Sequence, residues 1–229
     1  MCTRFTIYGE RCSGTTYLES LILENFNISI TWDYGWKHFF GFHDFNTRNA
    51  DDDQTLFIGI VRNPINWIQS FFSTPFHIPA ELTQIAPFLN NEFYSTNDDG
   101  TVRTEDLNYV TNHKYKNIFE LRRCKNYYLI NVMKTNVKNY ILINYERLKD
   151  DNFTCLNLLQ KRFNLKRKSP IYKNIDHYKN NKNLTYVDHK SNFKLPKRFV
   201  SIIINSIDLS QESTLGYKFN DQVVKLKLF

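Results

Sequence analysis

The stretch TRFTIYGERCSGTT at residues 3–16 contains the features that decide the fold. Residues Thr3 to Tyr8 alternate in polarity, with Phe5 and Ile7 on one side, which is typical of a β-strand. From Thr15 to Phe26, apolar side chains recur three and four positions apart, which predicts a helix. A loop with two glycines joins this strand to this helix.

The remaining sequence continues to alternate between strand and helix patterns. A short strand is predicted over Asn27 to Trp32, and a strand buried on both faces over Thr55 to Val61. Pro64 lies where a helix would begin, because proline fits the first turn. Helices are also predicted over Ile65 to Phe72, Pro79 to Leu89, Asn117 to Val132, Phe153 to Phe163 and Pro196 to Ile207, and a strand over Tyr140 to Asn144. This order predicts an α/β three-layer sandwich with a mostly parallel central sheet, formed by residues 1–229 as a single domain.

Composition limits the classes of protein that this chain can be. Its 229 residues are 41% hydrophobic and 16% aromatic, which is enough apolar surface for a packed core and excludes a disordered chain. The net charge of +7 is compatible with binding to a nucleic acid, to a membrane surface or to small anionic ligands. The basic residues are dispersed and form no nucleic-acid-binding motif, so we expect no nucleic-acid partner.

Targeting signals are not evident in the sequence. There is no secretory signal pattern and no stretch of about 20 apolar residues, so we expect no membrane span. The four cysteines stand alone, without a zinc-ligand spacing, so we expect no metal site. These features favour a reducing, cytoplasmic location.

The loop from Gly9 to Thr16 predicts a phosphate site. Its two glycines have the spacing of a P-loop, and the loop follows a strand and opens a helix, where backbone N–H groups can hold an anion. This makes the predicted fold similar to that of the P-loop nucleotide hydrolases. Thr15 replaces the P-loop lysine, which argues against an ordinary kinase or ATPase. Arg11 and the hydroxyls of Ser13, Thr15 and Thr16 could still hold a 5′-phosphate, although a plain glycine turn remains an alternative.

A second anion site is predicted at the next buried strand. Arg62 falls at its carboxyl end, where ligands bind in parallel sheets, and Ser70 follows two helical turns later. A guanidinium and a hydroxyl could together bind a phosphate. A strand-end ion pair for Arg62 and a helix-surface position for Ser70 are the alternatives.

The two segments together resemble the cofactor sites of sulfotransferases that use 3′-phosphoadenosine 5′-phosphosulfate (PAPS). In that family a Ser-Gly-Thr-Thr loop binds the 5′-phosphosulfate, and an Arg and a Ser eight positions apart bind the 3′-phosphate. Residues 143–148 (INYERL) and 215–217 (LGY) resemble two further motifs of the family. The resemblance implies PAPS as cofactor, PAP as product, and a cofactor site formed by Arg11, Cys12, Ser13, Gly14, Thr15, Thr16, Arg62 and Ser70. The family usually has a basic residue where this chain has Cys12.

The catalytic group is expected in the segment after the second strand. Sulfuryl transfer needs a base for the acceptor proton and positive charge near the departing oxygen. We predict His38 as the base, with Lys37 and Arg11 supplying positive charge, and His43 with Asp44 as the second choice. Polar residues in an aromatic loop are the alternative. Residues 186–190 could close over the cofactor in place of the glycine-rich segment that the family has.

These observations predict an enzyme that moves a sulfuryl group from PAPS to an acceptor hydroxyl, with a small molecule or glycan as acceptor and a carbohydrate as the first expectation. A P-loop nucleotide or small-molecule kinase lacking the usual lysine is the alternative, and a non-enzymatic phosphonucleotide-binding module is the third. The polar loop from Asn90 to Asn112 is long enough to be a lid or a substrate-binding segment.

Overall fold

The computed structural model describes residues 1–40, 53–175, 177 and 193–219. The predictions for His43, Asp44 and residues 186–190 lie outside the described residues. The chain divides into two compact units, one formed by Met1–Arg62 with Tyr128–Lys190 and the other by Asn63–Tyr127 with Ser191–Phe229. That residues 1–229 act as a single domain stays a prediction.

A four-stranded sheet organises the first unit. Its strands are β1 (Arg4–Tyr8), β2 (Ser29–Ile30), β3 (Thr55–Val61) and β4 (Tyr140–Asn144). They are all parallel and lie in the order β2-β1-β3-β4. The first connection leads from β1 to β2 on one side of β1, and the second leads from β2 to β3 on the other side. The strand order therefore reverses between β1 and β3, and ligands in such sheets bind at the carboxyl ends of the strands at this point. The predicted parallel sheet is confirmed.

Helices flank the strands along the chain. They are α1 (Thr15–Asn25), α2 (Pro64–Ser73), α3 (Ile85–Asn90), α4 (Ile118–Tyr127), α5 (Met133–Asn136), α6 (Tyr145–Asp150), α7 (Asn152–Phe163), α8 (Lys197–Ser206) and α9 (Leu209–Thr214). Short 3₁₀ turns form at Ala80–Leu82 and Thr104–Asp106, and a π-helical turn at Tyr128–Val132 follows α4. The chain therefore forms an α/β protein with a parallel sheet and flanking helices.

Alternation along each strand sends side chains to both faces of the sheet. One face of β1 and β3, including Phe5, Ile7 and Ile58, packs in a single core with apolar residues of α1, α6 and α7. The other face carries Tyr8 and Phe57, whose ring centroids are 6.5 Å apart. Burial on both faces explains why β3 is continuously apolar, as expected for a parallel strand.

The predicted helix over Pro79 to Leu89 is wrong as a single element. The chain forms the Ala80–Leu82 turn, becomes extended at Gln84 and then starts α3. The reason is Pro87, which would lie in the interior of the longer helix and would remove a hydrogen bond there. Starting the helix at Ile85 places this proline in the first turn, where the missing N–H costs nothing.

The second unit is held by local caps and buried ion pairs. The Asn63 side chain accepts hydrogen bonds from the amides of Ile65 and Asn66, and so caps the start of α2. On α4, the Arg122 guanidinium binds the Glu212 carboxylate through two nitrogens, one of them at 2.8 Å. Both side chains are almost fully buried.

The polar loop over residues 90–112 is anchored in this second unit. Phe93 pairs with Tyr115 as an antiparallel bridge. The buried Asp106 carboxylate accepts hydrogen bonds from Ser95 and from the Lys125 ammonium. The loop also lines a cavity of about 500 Å³. A role for it in substrate binding stays a prediction.

Candidate functional site

The loop between β1 and α1 contains two residues with positive φ angles and leads into an uncapped helix. Gly14 is the N-cap of α1, with φ of 90°, and Cys12 has φ of 62°. No side chain caps the helix and no acidic residue lies in its first turn. The first amides of a helix lack intrahelical partners, so these N–H groups can take an anion.

Tyr145 fixes the position of this loop. A Cβ atom placed on Gly14 would lie 2.2 Å from Cδ2 of Tyr145, so only glycine allows the ring to approach so closely. Tyr145 is the first residue of α6 and follows directly after β4. The motif at residues 143–148 therefore contributes a packing residue to the loop.

Arg11 does not lie open on the loop surface as a free cation would. It is 1% exposed, and its Nε donates to the Glu10 carboxylate at 2.7 Å. The backbone N–H of Arg11 donates to the same carboxylate oxygen. Glu10 therefore offsets much of the charge of Arg11, and the role of Arg11 toward a phosphosulfate stays a prediction. Residue spacing alone does not predict this acidic partner, although it is the adjacent residue.

Hydrogen bonds tie the segment after β2 to the carboxyl end of β1. The Tyr8 hydroxyl donates to the carbonyl of Tyr34 at 2.7 Å, and the amide of Gly9 donates to the carbonyl of Lys37 at 3.0 Å. Nδ1 of His38 also lies 2.8 Å from the carbonyl oxygen of Gly9. Lys37 and His38 thus lie against the loop between β1 and α1, at the sheet edge that the sequence predicts for residues following a neighbouring parallel strand.

The hydrogen bond of His38 decides its tautomer. A carbonyl only accepts, so Nδ1 carries the proton and Nε2 keeps the lone pair. Burial lowers the pKa of His38 to about 3, and the bond to Gly9 opposes that shift only in part. The imidazole is therefore neutral at physiological pH and can accept a proton at Nε2.

Lys37 brings its positive charge to the first turn of α1. Its Nζ lies 3.3 Å from the hydroxyl of Thr16 and 2.9 Å from the Glu19 carboxylate. The side chain is buried. A P-loop lysine would come from the loop itself, whereas here an ammonium from another segment reaches the same helix start. Glu19 was missed from sequence, although it lies three residues after Thr16 on the same helix face.

Arg62 lies at the end of β3, beside the same loop. Its Nη1 donates to the carbonyl of Cys12 at 3.0 Å, and its guanidinium carbon lies 4.5 Å from the centroid of the Tyr145 ring. The side chain is partly buried. Arg62 therefore lies beside the loop between β1 and α1, and its role in binding a phosphate stays a prediction.

The hydroxyl residues of the predicted cofactor site differ in their exposure. Ser13 and Thr15 are buried, while Thr16 is partly exposed. Ser70 is partly exposed on α2, in the second unit, and its carbonyl accepts from the amide of Thr74 at 3.1 Å. A joint role of Ser70 and Arg62 stays a prediction.

The LGY motif at residues 215–217 has a structural explanation. The amide of Gly216 donates to the carbonyl of Ser213, and that of Tyr217 donates to the carbonyl of Glu212. With φ of 87° at Gly216, this is the Schellman cap that ends α9. The cap explains this motif without a ligand.

Comparison with known proteins adds no family assignment. No family model, no curated protein and no solved structure matches the chain. Among the described residues, no helix is long and apolar enough to cross a membrane, and no group of three or more His, Cys, Asp or Glu side chains could hold a metal ion. The fold defines the chain as an α/β protein with a parallel four-stranded sheet flanked by helices.

Proposed function

We propose that this protein is a PAPS-dependent sulfotransferase, with a P-loop-like fold, that acts on an acceptor hydroxyl, with a carbohydrate as the acceptor. One observation carries the proposal. The segment after β2 presents a neutral imidazole and an ammonium to the same phosphate loop, through His38 on Gly9 and Lys37 on Thr16. A base and a cation at an anion loop are the groups that sulfuryl transfer needs.

The hydrogen-bond donors around the loop suit the two phosphate-bearing ends of the cofactor. The uncapped amides at the start of α1 suit the 5′-phosphate end, since these N–H groups point to where an anion binds. Arg62 follows β3 next to the loop and suits a second phosphate. Glu10 is the one acid in the loop, and its pairing with Arg11 limits its repulsion of an anion.

PAPS, when bound, supplies the sulfuryl group and leaves as PAP. The acceptor oxygen forms the new S–O bond as the old one breaks, and Nε2 of His38 takes the acceptor proton. Lys37 stabilises the negative charge that develops on the leaving oxygen, since an ammonium in a buried site acts more strongly than one in water. A bound anion also raises the pKa of His38, because negative charge favours the imidazolium.

Transfer of labelled sulfuryl from PAPS to a panel of oligosaccharides tests the proposal. In the His38→Gln variant we expect turnover to fall at least about 100-fold while PAP affinity stays within about threefold of the wild type. His113→Gln is the matched control, because His113 is exposed in the second unit. Strict dependence on ATP and magnesium, with no transfer from PAPS, would instead establish the kinase.

A further inference from the structure

An open aromatic surface lies in the segment that carries His38. Trp32 and Trp36 stack with ring centroids 5.0 Å apart and an interplanar angle of 25°. Their side chains are 42% and 46% exposed, although tryptophan is highly buried on average in folded proteins. The facing sides of the two stacked rings cover each other, so the open apolar surface consists of their outer sides and edges. The donor chemistry proposed above does not use this surface.

This surface adjoins the groups proposed for catalysis. The Trp36 ring lies edge-on to His38, with centroids 6.1 Å apart. The Lys37 ammonium is 5.6 Å from the centroid of Trp36. A ligand seated on the two indoles would therefore lie beside the proposed base.

The surface is also held in place before any ligand arrives. Asp33, between the two tryptophans in sequence, forms an ion pair of 2.9 Å with Arg4 of β1. Tyr34 is buried and accepts the hydrogen bond from Tyr8. A preformed surface loses little conformational entropy on binding, which favours its use as a recognition site.

The border of this surface is polar. The side chains of Arg4 and Asp33 are 37% and 63% exposed, and both can bind hydroxyl groups. A planar phenol would instead favour an enclosed apolar slot that covers most of its surface. A pyranose ring has an apolar C–H face for the indoles and hydroxyls at its edge for the charged border.

We propose that Trp32 and Trp36 form the acceptor platform, and that they bind a pyranose ring of a carbohydrate. The inference rests on the proposed function, since it assigns the residues that bind the acceptor at that same site. Stacking on an outer side of the indole pair holds the sugar, and a hydroxyl at its edge reaches Nε2 of His38. The charged border fixes which hydroxyl is presented.

Titration with cellotetraose tests the platform. This probe is neutral, so the net charge of +7 does not draw it to the surface unspecifically. The chain has three tryptophans, and the third, Trp67, is fully buried in the second unit. We expect binding to change the fluorescence of Trp32 and Trp36 and to leave that of Trp67 unchanged.

Substitutions of the two tryptophans test whether cellotetraose binds at this surface. Trp32→Ala and Trp36→Ala should each weaken cellotetraose binding at least about tenfold, while the phenylalanine variants keep most of the affinity because they keep a stacking ring. Phe153→Ala is the matched control, since Phe153 is 49% exposed in the same unit and stacks on Tyr172. It should bind like the wild type.

The outcomes separate this inference from the proposed function. Equal cellotetraose affinity of wild type and both alanine variants, or no cellotetraose binding at all, would overturn the platform, as would binding of phenol in its place. PAP binding without cellotetraose binding leaves the proposed function standing alone. Tryptophan-dependent cellotetraose binding without PAP binding keeps the sugar platform and removes the sulfotransferase.

Discussion

Nδ1 of His38 lies 2.8 Å from the carbonyl oxygen of Gly9, the first residue of the phosphate loop. This bond joins the segment after β2 to the end of β1 and fixes the neutral tautomer with Nε2 as the acceptor. The proposed base and the proposed anion loop are therefore parts of one hydrogen-bonded unit.

The burial of His38 predicts a dependence of stability on pH. The folded protein keeps the ring neutral down to a pKa of about 3, whereas the unfolded chain protonates below its ordinary value of 6.5. In that window the unfolded state binds more protons, so the folded state loses stability as the pH falls. Between pH 6.5 and pH 5 we expect the wild type to lose about 1–2 kcal/mol more than His38→Gln in the free energy of unfolding, measured in urea. Parallel pH profiles for the two proteins would contradict the buried neutral ring.

Lys37 should affect turnover far more than cofactor binding. Its ammonium lies at the start of α1 and is proposed to act on charge that develops during transfer. We expect Lys37→Met to lower kcat about 100- to 1000-fold, with PAP affinity changed by less than about tenfold. Lys138→Met is the control, because Lys138 is 64% exposed in an ion pair with Asp53. A Lys37→Met enzyme with normal kcat would remove this residue from the mechanism.

Gly14→Ala should abolish PAP binding and destabilise the protein. An alanine there must adopt φ of 90°, which costs about 1–2 kcal/mol, and its Cβ also collides with Tyr145. Gly100→Ala separates the two effects, since Gly100 has φ of 83° and open space around its Cβ position. Urea unfolding and calorimetry with PAP measure both properties. We expect Gly100→Ala to show the backbone cost alone and to bind PAP normally, and equal losses in both variants would contradict the role of the Tyr145 contact.

The buried ion pair of the second unit predicts a large loss of stability. Glu212→Gln leaves the Arg122 guanidinium buried without a full counter-charge, since the two side chains are only 1% and 6% exposed. We expect a cost of about 3 kcal/mol or more in the free energy of unfolding. Asp53→Asn breaks an exposed ion pair and should cost less than about 0.5 kcal/mol. A Glu212→Gln variant as stable as Asp53→Asn would show that the pair does not stabilise this unit.

The sequence predicted the sheet and the strand-loop-helix arrangement of β1 and α1 because both depend on local patterns. The unbroken apolar run of β3 and the strand-loop-helix at residues 3–26 each fit one periodicity. Helix α6 was missed, since it begins at Tyr145 directly after β4 with no turn signal between them. Pro87, which lies inside the helix predicted over Pro79 to Leu89, was overlooked as the reason why the chain forms two shorter elements there.

Side-chain partners within the site were less predictable. The pairing of Arg11 with Glu10 depends on rotamers and burial, which residue spacing does not encode. The pairing of Lys37 with Glu19 joins residues eighteen positions apart through the packing of two segments. The approach of Tyr145 to Gly14 likewise joins distant parts of the chain and needs the sheet order to be known.

Calorimetric titration with PAP tests the central claim most directly. We predict micromolar binding by the wild type, weakened at least about tenfold in Arg62→Ala, with 5′-AMP affinity little changed because Arg62 is assigned to the 3′-phosphate. Arg147→Ala is the control, since Arg147 is exposed on α6. Tight binding of ATP with magnesium and no response to PAP would contradict the sulfotransferase and favour the kinase.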